Sequence, residues 1–145
     1  MSLKTIFISY SHKDESFKDE LVKHLYPFSI TKKAQIWHDG MIGPGILWDK
    51  SIKDNLEKAD IVLLLVSSDA LTSEYINNVE IKKAMTRNRK GENIVIPVVL
   101  RPCNWTILTI GNIQALPKGS KAVSIWSNQD EAYVSIVKGL EPLLK

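Results

Sequence analysis

The chain has 145 residues, 44% hydrophobic and 24% charged, with a formal net charge of +3. That composition is of an ordinary globular chain with room for one core, and it excludes a disordered segment and a strongly basic nucleic-acid binder. The single Cys103 excludes an internal disulfide and fits a reducing compartment. No apolar run reaches the ~20 residues that span a bilayer.

Short β-branched runs alternate with longer amphipathic ones, the mark of βα units on a parallel sheet. Thr5-Ile6-Phe7-Ile8 reads as the first strand, entered too soon after Met1 for a signal peptide to precede it. Asp14 then caps a helix to about Leu25, with Phe17, Leu21, Val22 and Leu25 at helical spacing and Pro27 as its stop. Gln35-Ile36-Trp37 is a short second strand. The loop from Asp39 to Gly45 holds three glycines and a proline and continues neither kind of element. A helix from Trp48 to Lys58 buries Ile52 and Leu56.

Ile61 to Val66, the most hydrophobic run, is the expected central strand, covered on both faces and ended by Ser67-Ser68-Asp69. Ser73 caps the next helix, to about Arg89, whose inner stripe is Ile76, Val79, the stem of Lys83 and Ala84. Ile94 to Leu100 is the fourth strand, and Pro97 within it points to an edge or irregular strand. Residues 101–121 form a long connection. Ala122 to Ile125 is the expected fifth strand, and a helix from Glu131 to Leu144, with Tyr133, Ile136, Val137 and Leu140 inward, closes the chain. The expected fold is α/β, a flavodoxin-like doubly wound five-stranded parallel sheet in three α/β/α layers, with residues 1–145 as one domain.

Such a sheet binds ligands outside the carboxyl ends of its strands. The segments gathered there are Ser9-Tyr10-Ser11-His12, Asp39 to Gly45, Ser67-Ser68-Asp69 and Arg101 to Trp105. No Walker pattern or dinucleotide fingerprint is present, because Gly43-Pro44-Gly45 follows the wrong strand and lacks the later glycine. His12, His24 and His38 show no metal-ligand spacing and read as loop or surface residues. Cys103 reads as a buried structural thiol. The first strand ends in Ser9-Tyr10 and lacks the acidic pair of a phospho-acceptor domain. Glu80 stands out, one turn on from inward-facing Ile76: a carboxylate beside an apolar stripe needs a partner or a wet cleft. Pairing with Lys83 in solvent is the ordinary alternative.

Taken in order, Phe7-Ile8-Ser9-Tyr10-Ser11, Trp37-His38-Asp39 to Gly45 with Trp48, Ala59-Asp60 before the central strand, Tyr75 to Glu80, Val95-Ile96-Pro97-Val98, Leu100-Arg101-Pro102-Cys103-Asn104-Trp105 and Gln114-Ala115-Leu116-Pro117 resemble a prokaryotic TIR (Toll/interleukin-1 receptor) domain from Thr5 to about Leu140. The resemblance implies either an enzyme that cleaves NAD+ at the nicotinamide–ribose bond or a non-catalytic signalling adaptor. It implies Glu80 as the catalytic residue, and Tyr10, Ser11, Asp39, Trp48 and Ser68 on the substrate side. The loop from Asp39 to Leu47 corresponds to the family's mobile loop, which serves substrate closure and contacts to other TIR domains, here a homo-oligomer. Many TIR enzymes carry an aromatic residue four positions before the glutamate, where this chain has Ile76. Tyr75 lies five before, about 140° around an ideal helix from Glu80, and joins the substrate-side set only from a frayed first turn.

Nicotinamide leaves NAD+ from an already cationic ring, so no general acid is needed, unlike ordinary glycoside hydrolysis. A negative Glu80 would stabilise the oxocarbenium-like charge at the ribose carbon. Water as acceptor gives ADP-ribose, and internal attack gives a cyclic isomer. The resemblance further implies NAD+ as a substrate with no separate cofactor or metal, a cytoplasmic location, neither nucleic acid nor membrane as partner, and a role in signalling or anti-phage defence.

Overall fold

The computed structural model describes residues 3–41, 48–72 and 79–144, with the side chains of residues 48, 49, 79–81, 83, 89 and 109 outside the description. Four strands, β1 (Lys4–Ser9), β2 (Ala34–Trp37), β3 (Ile61–Val66) and β4 (Ile94–Val99), form a parallel sheet in the order β2-β1-β3-β4. In register, Ile8 lies beside Leu63 and Leu63 beside Ile96. The helices are α1 (Glu15–Ile30), α2 (Trp48–Lys58), α3 (Ser68–Thr72), α4 (Val79–Arg89) and α5 (Gln129–Leu140).

All six residues of β3 are buried, as expected for a central strand. Because side chains alternate across a strand, its two faces feed different cores. Leu63 and Leu65, with Ile6, Ile8, Ile96 and Val98, pack against Leu21 and Leu25 of α1 and Tyr133, Ile136 and Leu140 of α5. Val62, Leu64 and Val66, with Phe7, Val95 and Val99, pack against Ile52 and Leu56 of α2 and Ala84 and Met85 of α4. These are the three α/β/α layers the sequence predicts. Each fully buried side chain of this size contributes ~1.5–3 kcal/mol.

Three expectations need correction. Pro27 does not stop α1. It sits inside the helix, where one missing donor near the C-terminus costs a single bond, and continuing to Ile30 buries Phe28 in the core. The stop comes instead at Thr31, which bonds the Pro27 carbonyl through both N–H and hydroxyl, followed by Lys32 at φ 57°. Asp14 occupies the position before α1 but makes no capping bond; its carboxylate is engaged elsewhere.

The third correction is the fifth strand, of which there is none among the described residues. Val123–Ile125 is a single 3-10 turn, because its amides bond within the segment: Ile125 N–H donates to Ala122 and Trp126 N–H to Val123. Two separate pieces meet the free edge of β4 instead. Leu116 pairs with Val98 as an isolated parallel bridge, and Ser124 N–H donates to the Leu100 carbonyl. Pro97 accepts from Leu116 N–H on that outer edge. A residue's N and C=O point to the same side of its strand, so the nitrogen without a proton lies where no sheet bond is required. The edge position predicted from Pro97 follows.

The expected cap at Ser73 and the first turn with Tyr75 and Ile76 lie outside the described residues. The helix α3, which the sequence did not predict, occupies Ser68–Thr72 among the described residues. The last helix ends one turn earlier than expected, at Leu140, and Glu141–Leu144 continues as a 3-10 turn. No helix among the described residues is long and apolar enough to cross a membrane.

Leu63 is fully buried and Ile30 is 64% exposed. Leu63→Ala should therefore lower unfolding free energy by ~2–5 kcal/mol, whereas Ile30→Ala should stay within ~0.5 kcal/mol, both read by urea denaturation.

Candidate functional site

Parallel strands deliver their carboxyl ends to one edge, and the polar residues there fall into two linked groups. The first joins the ends of β1 and β2. Tyr10 follows β1 and is buried at 4% exposure, since its ring continues the core beneath α1. Asp39 opens the 3-10 turn Asp39–Met41 after β2 and is itself buried. One Asp39 oxygen accepts from His12 Nε2 at 2.6 Å, while Oδ1 has no hydrogen-bond partner. Burial first, then the nearby Asp39 carboxylate, holds the Tyr10 hydroxyl far above its ordinary pKa, so it is protonated throughout the neutral range.

Lys18 of α1 is buried beside this group, 2.6 Å from Asp19 and 5.2 Å over the Tyr10 ring. Burial, with the Lys18 ammonium nearby, pushes His38 below its ordinary value. The His38 ring leaves little room at the next residue: a Cβ on Gly40 would meet the ring at 2.9 Å, and the Gly40 N–H donates to His38 Nδ1. The turn that enters the 39–47 loop is thus shaped by the fit of His38 against a glycine.

The second group joins the loops after β1, β3 and β4. Asp14, 1% exposed, accepts a short hydrogen bond from the Ser67 hydroxyl. Arg101 donates through Nη2 to Asp14 Oδ1 at 2.9 Å and to Asp69 Oδ2 at 2.7 Å. A buried carboxylate held by a guanidinium and a hydroxyl is satisfied, which accounts for a charge so deep in the fold.

The predicted residues fare unequally. Tyr10 and Asp39 come together. Ser11 is half-buried and accepts from Lys13 N–H, capping the one-turn helix His12–Asp14. Ser68 is exposed at the first position of α3, beside the Asp14 group. Trp48 lies in α2 and Glu80 in α4, with both side chains outside the description; Tyr75 and residues 42–47 lie outside the described residues. Cys103 is half-buried, and burial raises its thiol above the ordinary value.

Sequence reasoning gathered His12, Ser67 and Arg101 at the carboxyl edge but named no partner for them, and it missed Asp14 and Lys18 as members of polar groups. The neighbour of His24 was also missed, since Asp130 is 106 positions on: with Glu20 their ligand atoms lie within 4.8 Å of one another on the surface of α1 and α5, where Glu20 also pairs with Lys23.

A parallel sheet with polar loops at its carboxyl edge defines the doubly wound α/β class, and comparison narrows it. Residues 6–136 match the family model described as TIR domain, so the chain belongs to the TIR domain family. An uncharacterized protein of Sinorhizobium fredii, y4lF, is 38% identical over 138 residues, and the chain spans 95% of itself but 43% of that relative's length. The TIR domain of the Toll-related receptor TRR-2 from Hydra magnipapillata superposes with a TM-score of 0.64 at 17% identity, covering 97% of this chain and 98% of that one. The RPS4 and RRS1 TIR domain heterodimer gives 0.60 at 12% identity, covering 96% of each chain. Both structures share the fold.

Two measurements test this geometry. Asp14→Ala leaves the buried Ser67 hydroxyl without its acceptor while Arg101 keeps Asp69, so it should cost ~1–3 kcal/mol in urea denaturation. Tyr10 and Tyr133 are both raised in the folded state, Tyr133 by burial to about 12. A raised tyrosine binds its proton more tightly when folded, so stability should be full below about pH 10 and fall as pH climbs toward 12. Tyr10→Phe and Tyr133→Phe should each flatten that decline.

Proposed function

We propose that this chain is a TIR-domain NAD+ nucleosidase in which Glu80 is the catalytic residue. The observation that carries the reading is the place of Glu80 within α4, on the crossover from β3 to β4, in a member of the TIR family. That crossover leaves the carboxyl end of β3, the neighbour of β1, whose own carboxyl end leads to Tyr10. A carboxylate at such a place opposes the positive charge that grows on the ribose carbon as nicotinamide departs, and preorganised charge of this kind is a large catalytic effect. Tyr10, Ser11, Asp39, Trp48, Ser68 and Tyr75 form the substrate side, with the protonated Tyr10 offering a donor and Asp39 an acceptor for ribose hydroxyls. NAD+ is the substrate, and no cofactor or metal is required. The product is ADP-ribose or a cyclic isomer, according to the acceptor.

On this reading residues 1–145 are one TIR domain working in the cytoplasm, away from membrane and nucleic acid, in signalling or anti-phage defence. Self-association through residues 39–47 activates it, and the longer Sinorhizobium fredii relative suggests a parent protein with further parts. Met41, 55% exposed at the entry to that loop, favours the second reading, a non-catalytic adaptor that binds other TIR domains there. The solved RPS4–RRS1 heterodimer supports association as a habit of the family.

The two readings separate on one assay. Wild-type protein concentrated on beads should consume NAD+ and release free nicotinamide, followed by chromatography, and Glu80→Ala should reduce turnover by at least ~100-fold while assembly persists. A clustered wild type that leaves NAD+ intact would establish the adaptor.

A further inference from the structure

Where α1 and α5 lie side by side, one imidazole and two carboxylates converge. Glu20 and His24 stand four residues apart on α1, about one turn, so their side chains share a face of the helix. Asp130 lies in the first turn of α5, whose start is fixed by the Asn128 side chain accepting from the Glu131 N–H. The ligand atoms of the three residues lie within 4.8 Å of one another. Leu21 and Leu25 of α1 share one core with Tyr133 and Ile136 of α5, so the backbone beneath all three groups is set by packing. The ring of His24 is held as well. It is half-buried and stacks on the buried Tyr133 ring, with 5.1 Å between centroids and 18° between planes.

We propose that Glu20, His24 and Asp130 bind a divalent transition-metal ion of the zinc type, which clamps the start of α5 to the middle of α1. The donor set is one nitrogen and two oxygens. That mixture suits zinc and its neighbours in the first transition row, whereas calcium and magnesium take oxygen ligands. The spacing agrees. Two ligands of a tetrahedral zinc stand roughly 3.3 Å apart, and His24 Nε2 is already 3.2 Å from Asp130 Oδ1. The adjustment left to make falls on the carboxylates, since the Asp130 side chain is 78% exposed and Glu20 is held only by Lys23, itself exposed. An exposed ion pair on one helix is weak and yields to a dication. Three protein ligands leave the fourth position of the tetrahedron to water. None of the three residues is assigned to NAD+, so the site stands or falls independently of the proposed reaction.

The test titrates zinc chloride into the chelator-stripped protein, with calorimetry for stoichiometry and affinity and a melting curve for the clamp. Wild type should bind one Zn2+ per chain and melt several degrees higher with the ion in excess, a gain that EDTA removes. Ca2+ and Mg2+ at the same concentration should do neither. Glu20→Gln, His24→Gln and Asp130→Asn should each weaken zinc at least tenfold. Asp130→Asn carries the most weight, because so exposed a side chain is replaced without disturbing the fold, and its metal-free melting temperature should match wild type. Wild type that takes up no zinc at 1 mM, flagged here as about a thousand times a micromolar site, overturns the proposal. So does zinc held equally well by Asp130→Asn and Glu20→Gln, which would place the ion elsewhere on the chain. Calcium bound as tightly as zinc also overturns it, since a patch of acid would then explain the binding without His24.

Discussion

A strand that is apolar at all six positions can leave neither face to water, and Ile61–Val66 imposes that condition on everything around it. One face of the strand draws in α1 and α5, the other α2 and α4. Parallel pairing on both sides then requires each connection to cross back over the sheet, which helices do with their backbone bonds satisfied internally. The polar edge is a by-product of this packing. Chain that leaves a fully buried strand must turn at its carboxyl end, and the residues of those turns are the ones that chemistry has available.

Much of this was legible because hydrophobic periodicity records burial. The all-apolar β3 and the spaced Leu21 and Leu25, Ile52 and Leu56, and Tyr133, Ile136 and Leu140 announced their layers. Where the sequence misled, the deciding contact was distant. Ala122–Ile125 has strand-forming residues, but the Ile125 and Trp126 amides close a local turn and only that of Ser124 reaches the sheet, and nothing local says so. Pro27 breaks helices in general, yet the core around Phe28 outweighs one lost hydrogen bond. Asp14 reads as a cap from its neighbours in sequence, and only the fold brings up Arg101, 87 residues away.

The site divides in the same manner. Tyr10 and Asp39 were legible through the motifs that flank them, because strand ends carry their identity in short stretches. The partners that set their behaviour were not. His12, which bonds one oxygen of Asp39, looked like an ordinary loop histidine, and nothing local set apart Lys18, whose amine is buried. Burial of a charge is a property of the whole fold, so a residue's own neighbours in sequence do not announce it. The two polar groups also share a stretch of chain: residues 10–14 contribute Tyr10 and His12 to one and Asp14 to the other. The first turn after β1 is thus a common wall between the entry to the 39–47 loop and α3.

The outer side of β4 has a consequence for how copies of the domain can meet. Pro97 presents no donor there, and the neighbouring bonds are already used by Leu116 and Ser124, which belong to separate stretches of backbone. A strand from another molecule would find no continuous ladder on which to zip, so the sheet does not lengthen past this edge. Any higher-order array built against it has to recognise side-chain shape and charge, and such contacts form and dissolve without disturbing the fold. A sealed edge of this kind separates association through side chains from the route that leads to fibres.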